Sequence, residues 1–292
     1  MNKQLLSILV LCLTLHLNAQ ENSLLWSINK PGSKDTSYLF GSIHISDQRV
    51  FNVNKHFNRV FDKAEIVALE LHFDSINPFE LMNFIMMDSA LTLKKIMPAD
   101  KYTFVKNYFK DSLGQELTYI ERFQPIYIAT MLQTQGLNTT GTSLDESIFK
   151  RAKENNKRIE GLEKAHEQMS AFSVVSYRVQ AEMLYLTIKY MLENSSENDT
   201  QKLIEYYIHQ DLKGLDEMVN NFTFSEEHSI KMHSDKLNDA LIIKRNHRML
   251  ERSLPLVEKQ TTLIVVGAAH LIGEAGLIEL YRKQGFEVNA LK

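Results

Sequence analysis

Two apolar runs near opposite ends of this chain finish alike. Leu39-Phe40-Gly41-Ser42-Ile43-His44 and Val265-Val266-Gly267-Ala268-Ala269-His270 each read as apolar strand, glycine, two small or apolar residues, histidine. A glycine at once after a strand allows a tight turn and a close backbone approach. Strands of this kind, followed by helix-like sequence, belong to a largely parallel sheet covered on both faces. Strands are predicted at Ser37 to Phe40, Ile66 to Leu69, Arg158-Ile159, Thr262 to Val266 and around Val288, with Trp26-Ser27-Ile28 added at the sheet edge. Helical periodicity fills the rest. One helical block runs from Pro78 to Glu154, with breaks near Pro98, Gly114, Pro125 and the Gly136 to Gly141 loop. A second runs from Glu163 to Leu254, interrupted between Asn194 and Asp199 and closed by Pro255. The expected fold is α/β: a central, mainly parallel sheet with two large helical insertions.

The N-terminus constrains where such a sheet works. Lys3, the apolar run from Leu5 to Leu13, and Leu17-Asn18-Ala19 before Gln20 follow the order of a secretory signal peptide. Its apolar core of about 11 residues is short against the roughly 20 needed to cross a bilayer. Residues 1–19 are therefore expected to be removed, leaving residues 20–292 as a single exported domain, periplasmic or secreted, without a stable membrane anchor. Cys12 is the only cysteine and leaves with that segment, so a disulfide cannot staple the mature chain and its stability must come from the core. Hydrophobic residues make up 44% of the sequence and charged residues 24%, an ordinary globular balance. The net charge of −3 gives nothing to attract nucleic acid.

In open α/β sheets, ligands bind in the crevice at the C-terminal ends of the strands. Both histidines are delivered there, at His44 and His270. A third strand brings Glu70 within Val67-Ala68-Leu69-Glu70-Leu71-His72, and a carboxylate on a buried strand is costly unless paired or bound to metal. Strand alternation puts His72 on the same face, as a further ligand or a supporting partner. Glu163 follows Glu160-Gly161-Leu162, either as a helix-start carboxylate favoured by the dipole or as a catalytic group. Two histidines and one or two carboxylates without a thiol suit Mn, Co, Fe or Zn. Such a metal can activate water and polarise a carbonyl, with a carboxylate as general base.

Other features carry less. His166-Glu167-Gln168-Met169-Ser170 begins like a zincin helix but has Ser170 where the second histidine belongs. His209, His228, His233 and His247 lie in charged helical segments and are expected at the surface. Met82, Met86 and Met87 with Phe79 and Phe84 form an apolar stripe expected in the core, the alternative being a binding groove.

Taken together, these motifs resemble the TraB/GumN family, the bacterial relatives of the Tiki proteins. The resemblance rests on Phe40-Gly41-Ser42-Ile43-His44, Ala68-Leu69-Glu70-Leu71, Gly161-Leu162-Glu163 with Glu167-Gln168, Arg245-Asn246, and Val265 to Leu271 followed by Gly273 and Gly276-Leu277. It implies a fold related to the erythromycin-esterase-like and ChaN-like groups, and a metal-dependent protease using Mn or Co on a peptide or protein substrate. By the same resemblance His44, Glu70 and His270 hold the metal or do the chemistry, with Glu163 and Arg245 lining the site. Arg245 would suit an anionic group or a helix-surface ion pair. His166 departs from the acidic or small residue of many relatives. Because the relatives include ChaN-like haem binders, a non-catalytic metal-, haem- or peptide-binding protein is the second reading.

Overall fold

In this computed structural model the described residues are 22–33, 35–133, 141–193, 196–221 and 228–292. The expected signal peptide and residues 136 to 140 of the expected loop lie outside them. Six strands form one sheet: β1 Leu25–Asn29, β2 Thr36–Ser42, β3 Ile66–Leu71, β4 Arg158–Glu163, β5 Thr262–Gly267 and β6 Glu287–Ala290, in the order β4-β3-β5-β2-β1-β6. β4, β3, β5 and β2 are mutually parallel; β1 is antiparallel to β2, and β6 to β1. The chain is thus α/β with a mostly parallel sheet, as the strand pattern implies. Four parallel strands have their C-terminal ends on one edge, so residues at the ends of β2, β3, β4 and β5 must meet there.

β5 sits between β3 and β2, and its Leu263, Ile264, Val265 and Val266 are fully buried. Its side chains pack on both faces, so it carries no polar alternation. The segment around Trp26 is not the edge strand that its position in the sequence suggests. β6 pairs beyond it through Trp26 to Asn29, and the C-terminal strand takes the edge. The two glycines also differ from expectation. Neither Gly41 nor Gly267 makes a turn: both lie within strands and neither has a positive φ. Their reason is proximity, since a Cβ on Gly41 would come 2.7 Å from Leu271 Cδ1 and 3.1 Å from Ala268 Cα.

The helical blocks occur where periodicity places them, with Pro98 at a helix start, Gly114 in a left-handed cap, and Pro125 opening the helix Pro125–Gln133. They share a core of their own: Leu93, Val105, Phe109, Leu117, Ile128 and Leu132 from the first block cluster with Ala181, Leu184 and Ile188 from the second. Pro255 does not close the last long helix. That helix runs from Lys244 to Val257 with Pro255 in its final turn. The apolar stripe is only partly core. Met87 is buried, but Phe79 is 83% and Met82 49% exposed, and the helix Pro78–Ile85 buries no residue. No described helix is long and apolar enough to cross a membrane.

Candidate functional site

The sheet edge gathers His44 just past β2, Glu70 on β3, Glu163 at the end of β4, and His270 in the short 3-10 turn Ala268–Leu271 after β5. In register Ser42 pairs with Gly267, and Leu71 with Glu163. Gly267 marks the centre. A Cβ there would lie 3.3 Å from Glu70 Oε1, 3.7 Å from His270 Cδ2 and 3.9 Å from His44 Nε2, so glycine leaves this space to the three side chains.

The hydrogen bonds decide where each proton sits. Asn246, on the helix Lys244–Val257, donates from Nδ2 to the Ala275 carbonyl at 2.7 Å, which turns its Oδ1 to His270 Nδ1 at 2.6 Å. An amide oxygen only accepts, so His270 carries its proton on Nδ1 and turns the Nε2 lone pair inward, 3.7 Å from Glu70 Oε1. His44 Nδ1 lies 2.8 Å from Asp145 Oδ2, and a carboxylate likewise accepts, so the neutral His44 ring leaves Nε2 free. Glu70 Oε1 accepts the Gly267 N–H at 2.6 Å. When His44 is neutral, as a metal ligand must be, three acceptors face one another with no proton to share among them; without a metal, the second proton that Asp145 favours on His44 sits on Nε2, on the side of Glu70.

Behind this group lies an ion-pair network. Arg245 donates from Nη2 to Glu70 Oε2 at 2.5 Å, from Nε to Glu163 Oε2 at 2.8 Å and from Nη1 to the Leu241 carbonyl at 3.1 Å. Leu241 belongs to a five-residue π turn, Asp239–Ile243, whose wider hydrogen bonding runs from Lys244 N–H to the Asp239 carbonyl. Such turns interrupt an α-helix at functional sites. Gln168 reaches both carboxylates, at 3.0 Å to Glu70 and 3.3 Å to Glu163. Glu163 has no exposed side-chain surface and also accepts from Arg248 at 3.0 Å. It stands behind Arg245 rather than facing open space, and Arg245 makes a buried pair rather than the helix-surface pair weighed above.

Burial would raise the Glu70 carboxyl, but the positive field of the histidines and Arg245 and the Gly267 N–H outweigh it and hold it down at about 2. Burial lowers His270 to about 4, which keeps it neutral. Asp145 raises His44 to about 9.

Some expected members are elsewhere. The His72 ring packs edge-on against Phe149, with centroids 5.2 Å apart. His166 is exposed while its neighbour Gln168 points inward. His209 and His247 are exposed, but His233 is half-buried and its Nδ1 is enclosed without a hydrogen-bond partner among the described residues. Asp145, Gln168 and Arg248 were not singled out by chemistry in the sequence. Asp145 had only a weak signal: it follows Ser143, an ordinary helix cap.

The TraB/PrgY/gumN family model matches residues 24–290. The chain belongs to the TraB/PrgY/gumN family. Among the curated relatives of this family member are the Metalloprotease TIKI2 of Danio rerio, 24% identical over 316 residues, covering 91% of this chain and 60% of the relative. The Metalloprotease TIKI1 of the same fish is 24% identical over 315 residues, covering 91% and 63%. The Metalloprotease TIKI homolog of Amphimedon queenslandica is 23% identical over 321 residues, covering 94% and 62%. The TraB/PrgY/gumN chain thus spans about three-fifths of the length of these relatives. No solved structure matches it.

Among the described residues, no three His, Cys, Asp or Glu side chains are already drawn into a metal-ready cluster. Arg245 holds one oxygen of Glu70 and Gly267 the other. The donor chemistry nonetheless fits a cation: two imidazole lone pairs and a carboxylate converge, and each imidazole is steadied at Nδ1 by a separate partner, as ligating histidines are.

Proposed function

We propose that this TraB/PrgY/gumN protein is an exported, metal-dependent hydrolase, a peptidase, in which His44, Glu70 and His270 hold a divalent ion, Mn or Co. The observation that carries this reading is the convergence of His44 Nε2, the His270 ring edge and Glu70 Oε1 on the space that Gly267 leaves, with His270 Nε2 3.7 Å from Glu70 Oε1 and Nδ1 of each ring facing an acceptor. A cation there would take the place of the second His44 proton and relieve the repulsion among the three acceptors. A metal bound there supplies an activated water at neutral pH and polarises a carbonyl.

The chain's own groups supply the rest. Asn246 and Asp145 orient the rings, and burial keeps His270 neutral and able to donate its lone pair. Arg245 and Gln168 fix Glu70, and the Arg245 charge offsets that of Glu70 from behind. Glu163 acts as the positioning partner of Arg245. Glu70 is either a ligand or the acceptor of a water proton. The relatives' name, metalloprotease, makes a peptide or protein the first substrate class to try. Export rests on the N-terminal sequence, and a mature protein beginning near Gln20 in the periplasm or medium is the expected product; an intact Met1 on the cellular protein overturns it.

The test is a peptide-library digest with the protein as prepared, after chelation, and after adding back Mn or Co. Cleavage should vanish with chelator and return with metal. If no peptide is cut under any condition, the hydrolase reading fails; a Soret band on the purified protein would then favour the haem-binding alternative.

A further inference from the structure

We infer that Asp145 is the positioning residue of His44, setting which ring nitrogen is free to face the site; the inference rests on the reading that His44 is a ligand. Asp145 sits in the first turn of the helix Leu144–Glu154, more than 100 positions from His44 in sequence. Carboxylates in a first helical turn commonly face water, where they meet the helix dipole. The neighbouring Glu146 does so and pairs with Lys150, one turn on. Asp145 instead points inward and is 4% exposed. The cap of this helix is Ser143, whose Oγ accepts the Glu146 N–H, so Asp145 is not needed for capping.

Both oxygens of Asp145 are committed to the end of β2. Oδ1 accepts from the Ser42 hydroxyl and Oδ2 from His44 Nδ1. The backbone stitches the same two segments together, with the Leu144 N–H donating to the Ile45 carbonyl at 3.2 Å. Below them, the Tyr207 hydroxyl donates to the Gly41 carbonyl at 2.8 Å. Gly41, Ser42, His44 and Ile45 are therefore each fixed from outside their own strand. The His44 side chain is 64% exposed and has little packing to hold it, so its orientation depends on Asp145. Because neither Asp145 oxygen is open, Asp145 acts on the site through the two groups it holds, Ser42 and His44, and of these only His44 presents a ring nitrogen to the site.

An isolated neutral imidazole favours the proton on Nε2, the atom that here must be bare. The carboxylate reverses that preference. Long-range proton–nitrogen spectra of the metal-free mature protein, recorded at alkaline pH where the ring is neutral, should show His44 protonated at Nδ1. In Asp145→Ala the proton should move to Nε2, and Co(II) affinity measured by calorimetry should fall by about 10–100-fold, the usual effect of losing such a partner. Asp145→Asn retains an acceptor oxygen and should restore the wild-type tautomer. If Asp145→Ala does not fold, Asp145→Leu combined with Ser42→Ala removes the same acceptor while filling the space, and the same shifts are expected. An unchanged tautomer together with Co(II) affinity within about twofold of wild type overturns the inference. If wild type binds no Co(II) but the tautomer still moves, the positioning role stands and the metal-site reading falls.

Discussion

The two strand ends that share one motif place their histidines in opposite surroundings. His44 lies open to solvent on a carboxylate, whereas His270 is buried on a neutral amide. Both turn Nε2 toward Glu70, because Ser42 and Gly267 are register partners on adjacent parallel strands and each ring is held at Nδ1. The motif therefore determines where a histidine leaves the sheet, while its charge comes from helices far away in sequence. Asp145 makes His44 prone to carry a proton; enclosure near Asn246 makes His270 reluctant to do so. A site of this kind has one rigid, neutral donor and one that is reachable from solvent.

Glu70 is what the two histidines share, so Glu70→Gln should have the largest effect. It keeps the shape but removes the charge that faces Arg245, and breaking a buried pair costs on the order of 3 kcal/mol. Urea unfolding of the metal-free protein measures this. If Glu70 is a ligand, calorimetry will show metal affinity falling together with activity; if it is the general base, metal still binds while turnover drops about 10²–10⁴-fold. A variant with wild-type stability and turnover would remove Glu70 from the centre of the comparison.

The next experiment separates the histidines. His270→Ala leaves the buried Asn246 oxygen without its donor, and should cost about 1–3 kcal/mol in unfolding free energy. His44→Ala also takes the donor from Asp145 Oδ2, but that ring is 64% exposed and water can replace it, so the loss should be smaller, within about 1 kcal/mol. Both should abolish metal-dependent cleavage. Equal losses of stability would break the contrast between them.

His44, Glu70, Glu163 and His270 were legible because each lies at or just beyond a β-rich run, and parallel pairing carries strand ends to one edge. The partners that give them their chemistry were not. Asp145 looks like any acidic residue after a Ser cap, and only the folded chain brings its helix against β2. Asn246 and Gln168 belonged to the quoted resemblance, but their amides acquire a role only when Ala275, His270 and the two carboxylates surround them. Apolar content misled at Phe79 and Met82, since periodicity shows which face is apolar but not whether anything covers it. Pro255 misled because a proline in the last turn gives up a hydrogen bond without stopping the helix.

The smallest expected effect is the pH dependence of stability without metal, and it sharpens the contrast most directly because the two histidines act with opposite signs. Asp145 raises His44 from an ordinary 6.5 to about 9 in the folded state, so its contribution is fully present below pH 6.5 and is lost as pH rises through 9. Burial lowers His270 to about 4, so its contribution is fully present above pH 6.5 and is lost as pH falls through 4. The alkaline limb should be shallow, within about 1 kcal/mol, because solvent screens an exposed pair. Thermal melts in chelator from pH 4 to 9 should therefore show His44→Ala flattening the alkaline limb alone and His270→Ala flattening the acid limb alone. If His44→Ala instead changes the acid limb, or both variants keep the wild-type curve, the two strand ends do not differ in charge as their surroundings require.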